Sequence, residues 1–294
     1  MSELLTKPQS FRNFHWEVPI TACQLSRDDL KRIYRIIDSK QIEERDRFLR
    51  DVIRRQPQET DDQFSIRRER VTDAHLTAIT VTGTSGEKIS GFGEDFLDSS
   101  ILPERIASIY YDTKSTPTGW LNLTPANWAS VLLDFTRPPI INWHPTPSSP
   151  TPNNSTYTVY ALNEAWGTSL NAQLARLFLE RKRPWDWLHR QGAYDALVIF
   201  LGIPLALWAS ARLGGLLFNG LPLPSAVSIG AYVYLFIATL NVFRAIFSYS
   251  RWVFPKVELV TGSPSGMAKH RALLWAIIVG LIGRVVWDLI HAVW

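Results

Sequence analysis

The sequence predicts an α+β cytosolic domain, with helices flanking a four- to five-stranded antiparallel meander, followed by an all-α membrane domain of three transmembrane helices. Three observations predict it. Residues 1–190 carry 24 basic and 24 acidic side chains, whereas residues 191–294 carry 7 and 3, set among long apolar runs. The spacing of apolar residues changes from helical to alternating after residue 76. Three apolar stretches then reach the roughly 20 residues that a helix needs to cross a ~30 Å hydrocarbon core. The boundary between a soluble domain (1–190) and a membrane domain (191–294) is therefore expected where the charge balance breaks. The overall pI near 9.2 comes from cations beside apolar segments, not from a basic face, so no nucleic-acid partner is expected.

In the first domain, Ser26 is placed as an N-cap, Asp29 as the acid that closes a capping box, and Leu25 and Leu30 as a hydrophobic staple. Leu30, Ile33, Tyr34 and Ile37 recur at helical spacing, and a second cluster (Phe48, Leu49, Val52, Ile53) follows. Two helices, or one broken helix, are expected up to Arg70, with a solvated face on which 13 cations and 11 acids interleave. Ile79 and Val81 alternate with Thr80 and Thr82, "GTSGEK" supplies a turn, and Ile89 starts a return strand. Further strands are read in "RIASIYYD" (105–112), "WASVLLDF" (128–135) and "STYTVYAL" (155–162). The Pro-rich stretch 136–156 between the last two suits neither a helix nor a central strand, and reads as a long, flexible hairpin connection. Trp166, Leu170, Leu174 and Leu177 then mark one face of a helix that packs across the sheet.

The membrane spans are expected at about 194–213, 226–246 and 272–292. Trp185 and Trp187 in "RKRPWDWLHR", with Trp252 after the second span, are placed as interfacial anchors. Cations precede the first span and follow the second (Arg251, Lys256, Lys269 and Arg271 against Glu258), whereas the turn "NGLPLPS" has none. By the positive-inside bias, this puts the N-terminal domain and the 249–271 segment in the cytoplasm of a multi-pass cell-membrane protein. The start "MSELLTKPQSFRNFHWEV" contains no apolar core, so no cleavable signal peptide is expected.

The last apolar stretch carries Arg284, Asp288 and His291 at i, i+4 and i+7, a polar stripe on one face. Measured from Arg271 at 1.5 Å per residue, these lie about 20, 26 and 30 Å along the helix axis. Ala276 and Gly280 continue the stripe as a small-xxx-small pattern suited to helix packing. Three readings stand: a packing seam fixed by an Arg284–Asp288 pair, an ion or proton path, and a helix lying in the interface.

No catalytic constellation emerges. The six histidines are scattered without metal-ligand spacing, so no metal or other cofactor is expected. Gly91 and Gly93 form a lone GxG, and Cys23, the single cysteine, sits ahead of a helix start without a placed base. The functional expectation is a membrane-anchored recognition or interaction domain, signalling or scaffold-like and non-enzymatic, with the lipid bilayer and a protein partner or homo-oligomer as its contacts. Two alternatives stay open: a membrane effector or channel-like protein whose third helix lines a polar path, and a membrane-tethered enzyme with an unrecognised site.

Overall fold

A computed structural model describes residues 13–140, 148–218, 220–222, 224–260 and 267–293. The fold is an antiparallel sheet with flanking helices, followed by three long apolar helices. The chain divides into two compact units that interleave in sequence: Met1–Thr136, Asn153–Lys182 and Val257–Leu259 form the first, and Arg137–Pro152, Arg183–Lys256 and Val260–Trp294 the second.

The first unit contains β1 (Phe14–Pro19), β2 (Cys23–Ser26), α1 (Arg27–Asp51), α2 (Asp61–Ala74), β3 (Ala78–Gly83), β4 (Lys88–Phe92), β5 (Ile106–Asp112), α3 (Ser115–Leu121), β6 (Asn127–Asp134), β7 (Thr156–Ala161) and α4 (Glu164–Glu180). It also takes in residues Val257–Leu259 of β8 (Val257–Val260). Six strands pair antiparallel in the order β1-β7-β6-β5-β3-β4, one or two more than the expected four or five. Strands β5, β6 and β7 are a meander, but β5 joins the free edge of β3, not that of β4, so the β3–β4 hairpin leaves β4 at one edge. The opposite edge is β1, whose "FHWEVP" alternates weakly and ends in Pro19, a residue tolerated at the end of an edge strand. A second, two-stranded sheet pairs β2 with β8. Helix α3 forms from "STPTGWL", which reads as turn chemistry in the sequence.

The predicted start of α1 is present: the Ser26 hydroxyl accepts from the Asp29 N–H, and the Asp29 carboxylate accepts from the Ser26 N–H at 2.9 Å. Arg181, at the end of α4, donates to the same carboxylate at 2.8 Å. Burial pushes the Asp29 carboxyl up, but the hydrogen bonds from Ser26 and Arg181 together outweigh it and hold it below its ordinary range. The same T-x-x-Q signature, Thr60 with Gln63, starts α2.

The core lies on one face of the large sheet. Alternate residues Ile79, Val81, Ile109, Tyr111, Val131, Leu133 and Val159 point inward and are buried. Leu30, Ile33 and Ile37 of α1 cover them, together with Trp166, Leu170, Leu174 and Leu177 of α4, on the helix faces expected from the spacing. Each such side chain contributes about 1.5–3 kcal/mol when fully buried. Gly167 lets α4 close onto the sheet: a Cβ there would stand 2.8 Å from that of Ala161 and 2.6 Å from the Trp16 ring.

The second unit begins with Arg137–Pro152 and a 3-10 turn (Pro184–His189), then continues through α5 (Ala193–Leu197), a π-turn (Val198–Gly202), α6 (Ile203–Phe218), α7 (Ser225–Val253) and α8 (Met267–Val293). Three segments, Ala193–Phe218, Ser225–Val253 and Met267–Asp288, are long and apolar enough to cross a membrane. Less than a fifth of each apolar window is buried within the chain, which leaves large side chains such as Phe200, Leu216, Tyr234 and Val279 on the outside, as lipid contact requires. The π-turn immediately precedes Pro204. Proline supplies no N–H and crowds the carbonyl of residue 200, and a widened turn relieves both without ending the helix. Helix α7 packs closely against the π-turn and α6, where Gly202 of the π-turn faces Phe243 and Gly214 of α6 faces Tyr232.

The Pro-rich connection is more than a hairpin link. Its residues 141–147 lie outside the described residues. Beyond them, the Thr151 N–H donates to the His189 carbonyl at 3.2 Å, and the Ser148 carbonyl accepts from the Gly192 N–H at 3.1 Å. Arg251 of α7 donates to the carbonyls of Leu188 (3.0 Å) and Ser149 (3.1 Å). A proline-rich segment offers few partners for its own carbonyls, and here the Gly192 N–H takes up that of Ser148 and the Arg251 guanidinium that of Ser149.

Candidate functional site

Helix α8 places Arg284 and Asp288 one turn apart, with guanidinium to carboxylate at 3.3 Å. Arg212 of α6 reaches the same Asp288 oxygen, Oδ1, at 3.1 Å. Arg212 falls at the end of the first expected span (194–213), and the sequence carries no local sign of its pairing with Asp288, which lies on a different helix 76 positions later. Asp288 is 8% exposed, and its other oxygen, Oδ2, is buried without a hydrogen-bond partner. The two arginine side chains remain more than half exposed. They border a groove of about 640 Å³, to which Trp208, Gly215 and Leu216 contribute the apolar lining. The cluster is thus a buried carboxylate under two cations, with a net charge of +1. The backbone of His291 continues α8, but its side chain lies outside the described residues. Ala276 and Gly280 are exposed in the single chain, with open space where a Gly280 Cβ would be.

Trp185 and Trp252 fall in a belt of rings and cations at the near ends of the long helices. The Trp185 ring stacks obliquely on Phe254 at 5.2 Å, its N–H donates to the Pro255 carbonyl at 3.3 Å, and Arg183 and Arg271 lie over its face. Trp252 stacks on Tyr249 at 5.9 Å, meets His270 edge-on at 5.0 Å and carries Arg137 over its face at 5.3 Å. Trp187 is half exposed. Rings with one apolar body and one polar handle, mixed with arginine, match the chemistry of the headgroup zone.

Next to this belt, His189 is buried. A carbonyl can only accept, so its Nε2–H donates to Phe254 O at 2.8 Å, and Nδ1 accepts from the Thr151 hydroxyl at 2.9 Å. Burial pushes the His189 pKa from its ordinary 6.5 down to about 4, and the charges of Arg251 and Lys256 act in the same direction against the favourable Phe254 carbonyl. A depressed histidine means that the unfolded chain takes the proton first. The contribution is complete above pH 6.5 and is lost as pH falls from 6.5 to 4. Acid should therefore destabilise the second unit by about 3 kcal/mol across that window. In His189→Gln, whose amide can serve both partners, the unfolding midpoint should stay flat over the same range.

In the first unit the sheet face opposite the core carries an aromatic row. His15, Tyr160 and Trp128 stand side by side on β1, β7 and β6 in register. Tyr160 and Trp128 stack at 5.6 Å, and the Lys114 ammonium lies 4.8 Å over the Trp128 ring. Tyr110 is exposed on the same face, and Phe92 meets Trp120 edge-on, both exposed, at the β4 edge. Alternation in the sequence marks these as the outward positions of their strands, although the sequence reading had assigned them no role. Among the described residues, no group of three or more His, Cys, Asp or Glu side chains is arranged to hold a metal ion. Gly91 and Gly93 belong to the β4 edge and the turn after it, and the Cys23 thiol is buried.

No protein-family model, curated protein or solved structure matches the chain.

Proposed function

We propose that the chain is a membrane-anchored recognition protein, in which the long apolar helices hold the α+β unit at a membrane surface and the open face of its sheet receives a protein partner. The observation that carries this reading is the aromatic row of the exposed His15 and the half-buried Tyr160 and Trp128, with Lys114 over the Trp128 ring and the exposed Tyr110 on the same face. A sheet needs apolar residues on its buried face only; aromatic rings with polar handles on the other face are the composition of interaction surfaces. The cations at the near ends of the helices, and the uncharged 219–225 turn, support a cytoplasmic position for this unit in the cell membrane.

A benzophenone side chain at position 110 tests the reading in native membranes. Irradiation should yield an adduct of defined mass that is lost in the Trp128→Ala/Tyr160→Ala background, whereas the same probe at Leu179, exposed on α4, should yield none. An adduct at position 110 that survives the double substitution, or no adduct there, would contradict it.

A further inference from the structure

We infer that the groove beside Arg212 and Arg284 is a binding site for the phosphate of a membrane phospholipid whose headgroup also carries an N–H or O–H donor. The inference is independent of the open sheet face. Arg212 lies 19 residues beyond Ala193, roughly 28 Å, and Arg284 lies 13 beyond Arg271, roughly 20 Å, along helices that run in the same direction. Arg212 therefore reaches the far boundary of a ~30 Å core, and the long side chain of Arg284 extends from below it toward the same level, that of the phosphates.

The chemistry at that level is selective. A guanidinium carries five donors in a planar fork that matches phosphate oxygens, and both groups here are more than half exposed while sharing a single carboxylate oxygen. The net charge of +1 favours an anion, and two cations on different helices favour one that bridges them. Asp288 Oδ2 makes the opposite demand. It is buried and lacks a partner, in a residue that lines the groove, so it calls for a donor from that side. One ligand meets both demands: a phosphodiester whose oxygens span the two guanidinium groups and whose ammonium or hydroxyl reaches Oδ2. Ethanolamine and glycerol headgroups have this form, whereas choline has the phosphate but no N–H or O–H. The groove, at about 640 Å³, is large enough for a headgroup and the start of its acyl chains along Trp208 and Leu216.

Native mass spectrometry of the full chain released from micelles tests this with phosphatidylethanolamine, phosphatidylglycerol and phosphatidylcholine of identical acyl chains. The first two should be retained about tenfold more tightly than the third. Arg212→Gln and Arg284→Gln should each weaken that retention by a similar factor. Gly215→Leu should do the same without altering a charge, since a Cβ at Gly215 enters open space in the groove and leucine favours the helix. Equal retention of all three lipids, or retention unchanged by all three substitutions, would overturn the site. Displacement of the lipids by millimolar inorganic phosphate would overturn the lipid assignment in favour of a soluble phosphate ligand.

Discussion

Asn127→Ala is expected to destabilise the α+β unit by about 3–4 kcal/mol, more than a typical polar substitution. Asn127 is 1% exposed, and its amide serves three partners. Its Nδ2 donates to the Glu44 carboxylate at 2.6 Å, and its Oδ1 accepts from the N–H groups of Leu162 and Asn163 at 2.9 and 3.1 Å. Glu44 is itself 2% exposed and otherwise relies on Arg47. Truncation leaves a buried carboxylate short of a donor, the Asn163 N–H without this acceptor, and the Leu162 N–H with only the Ala126 carbonyl at 3.3 Å, at the point where Asn163 caps α4. Asn127→Asp should be worse, because it sets a second carboxylate against Glu44. Urea titration of the full chain, followed by tryptophan fluorescence, measures both. A loss below 1 kcal/mol in the alanine variant would mean that water replaces the amide.

How much of this was legible in advance depends on sequence separation. The Ser26–Asp29 box, the inward face of α4, the hairpin around "GTSGEK" and the Arg284–Asp288 pair all rest on neighbours within a turn or two, and periodicity exposes them. Asn127 and Glu44 are 83 positions apart, and nothing local marks either as buried. The same holds for Lys114 above Trp128, and for Arg212, whose partner lies on a different helix. Strands β2 and β8 have four residues each, too few for alternation to register, and β1 is obscured by His15, Glu17 and Pro19. The helices also run past the apolar cores of the spans. Helix α7 continues through Arg244 to Val253, because a buried Arg251 with carbonyl partners does not end a helix.

The second large effect concerns the cluster in the membrane unit. Arg212→Leu and Arg284→Leu should each cost about 1 kcal/mol, since Asp288 keeps one cation in either variant. Combined, they leave a carboxylate that is 8% exposed without a counter-charge, and the loss should rise to about 3–5 kcal/mol. The coupling energy, the excess of the double over the sum of the singles, should therefore exceed 1 kcal/mol in an unfolding titration in micelles. Adding Asp288→Asn to the double variant should restore most of the loss. Additive singles would show that Asp288 is hydrated from the groove in place of being held by the arginines.

Strand β8 follows the first two long helices in the chain, yet Val257 is 1% exposed within the soluble core, and Glu258 accepts from Gln24, 234 positions earlier. The soluble unit is thus completed only after α6 and α7 have been synthesised, and a fragment ending at residue 190 lacks a strand that its own β2 edge requires. The pairing also imposes a parity. Residues 23–26 and 257–259 must lie on one side of the bilayer, so the chain between them crosses an even number of times. Helices α6 and α7 then enter as a hairpin or not at all, and a lesion that blocks insertion of one should leave the N-terminal sheet unfinished as well.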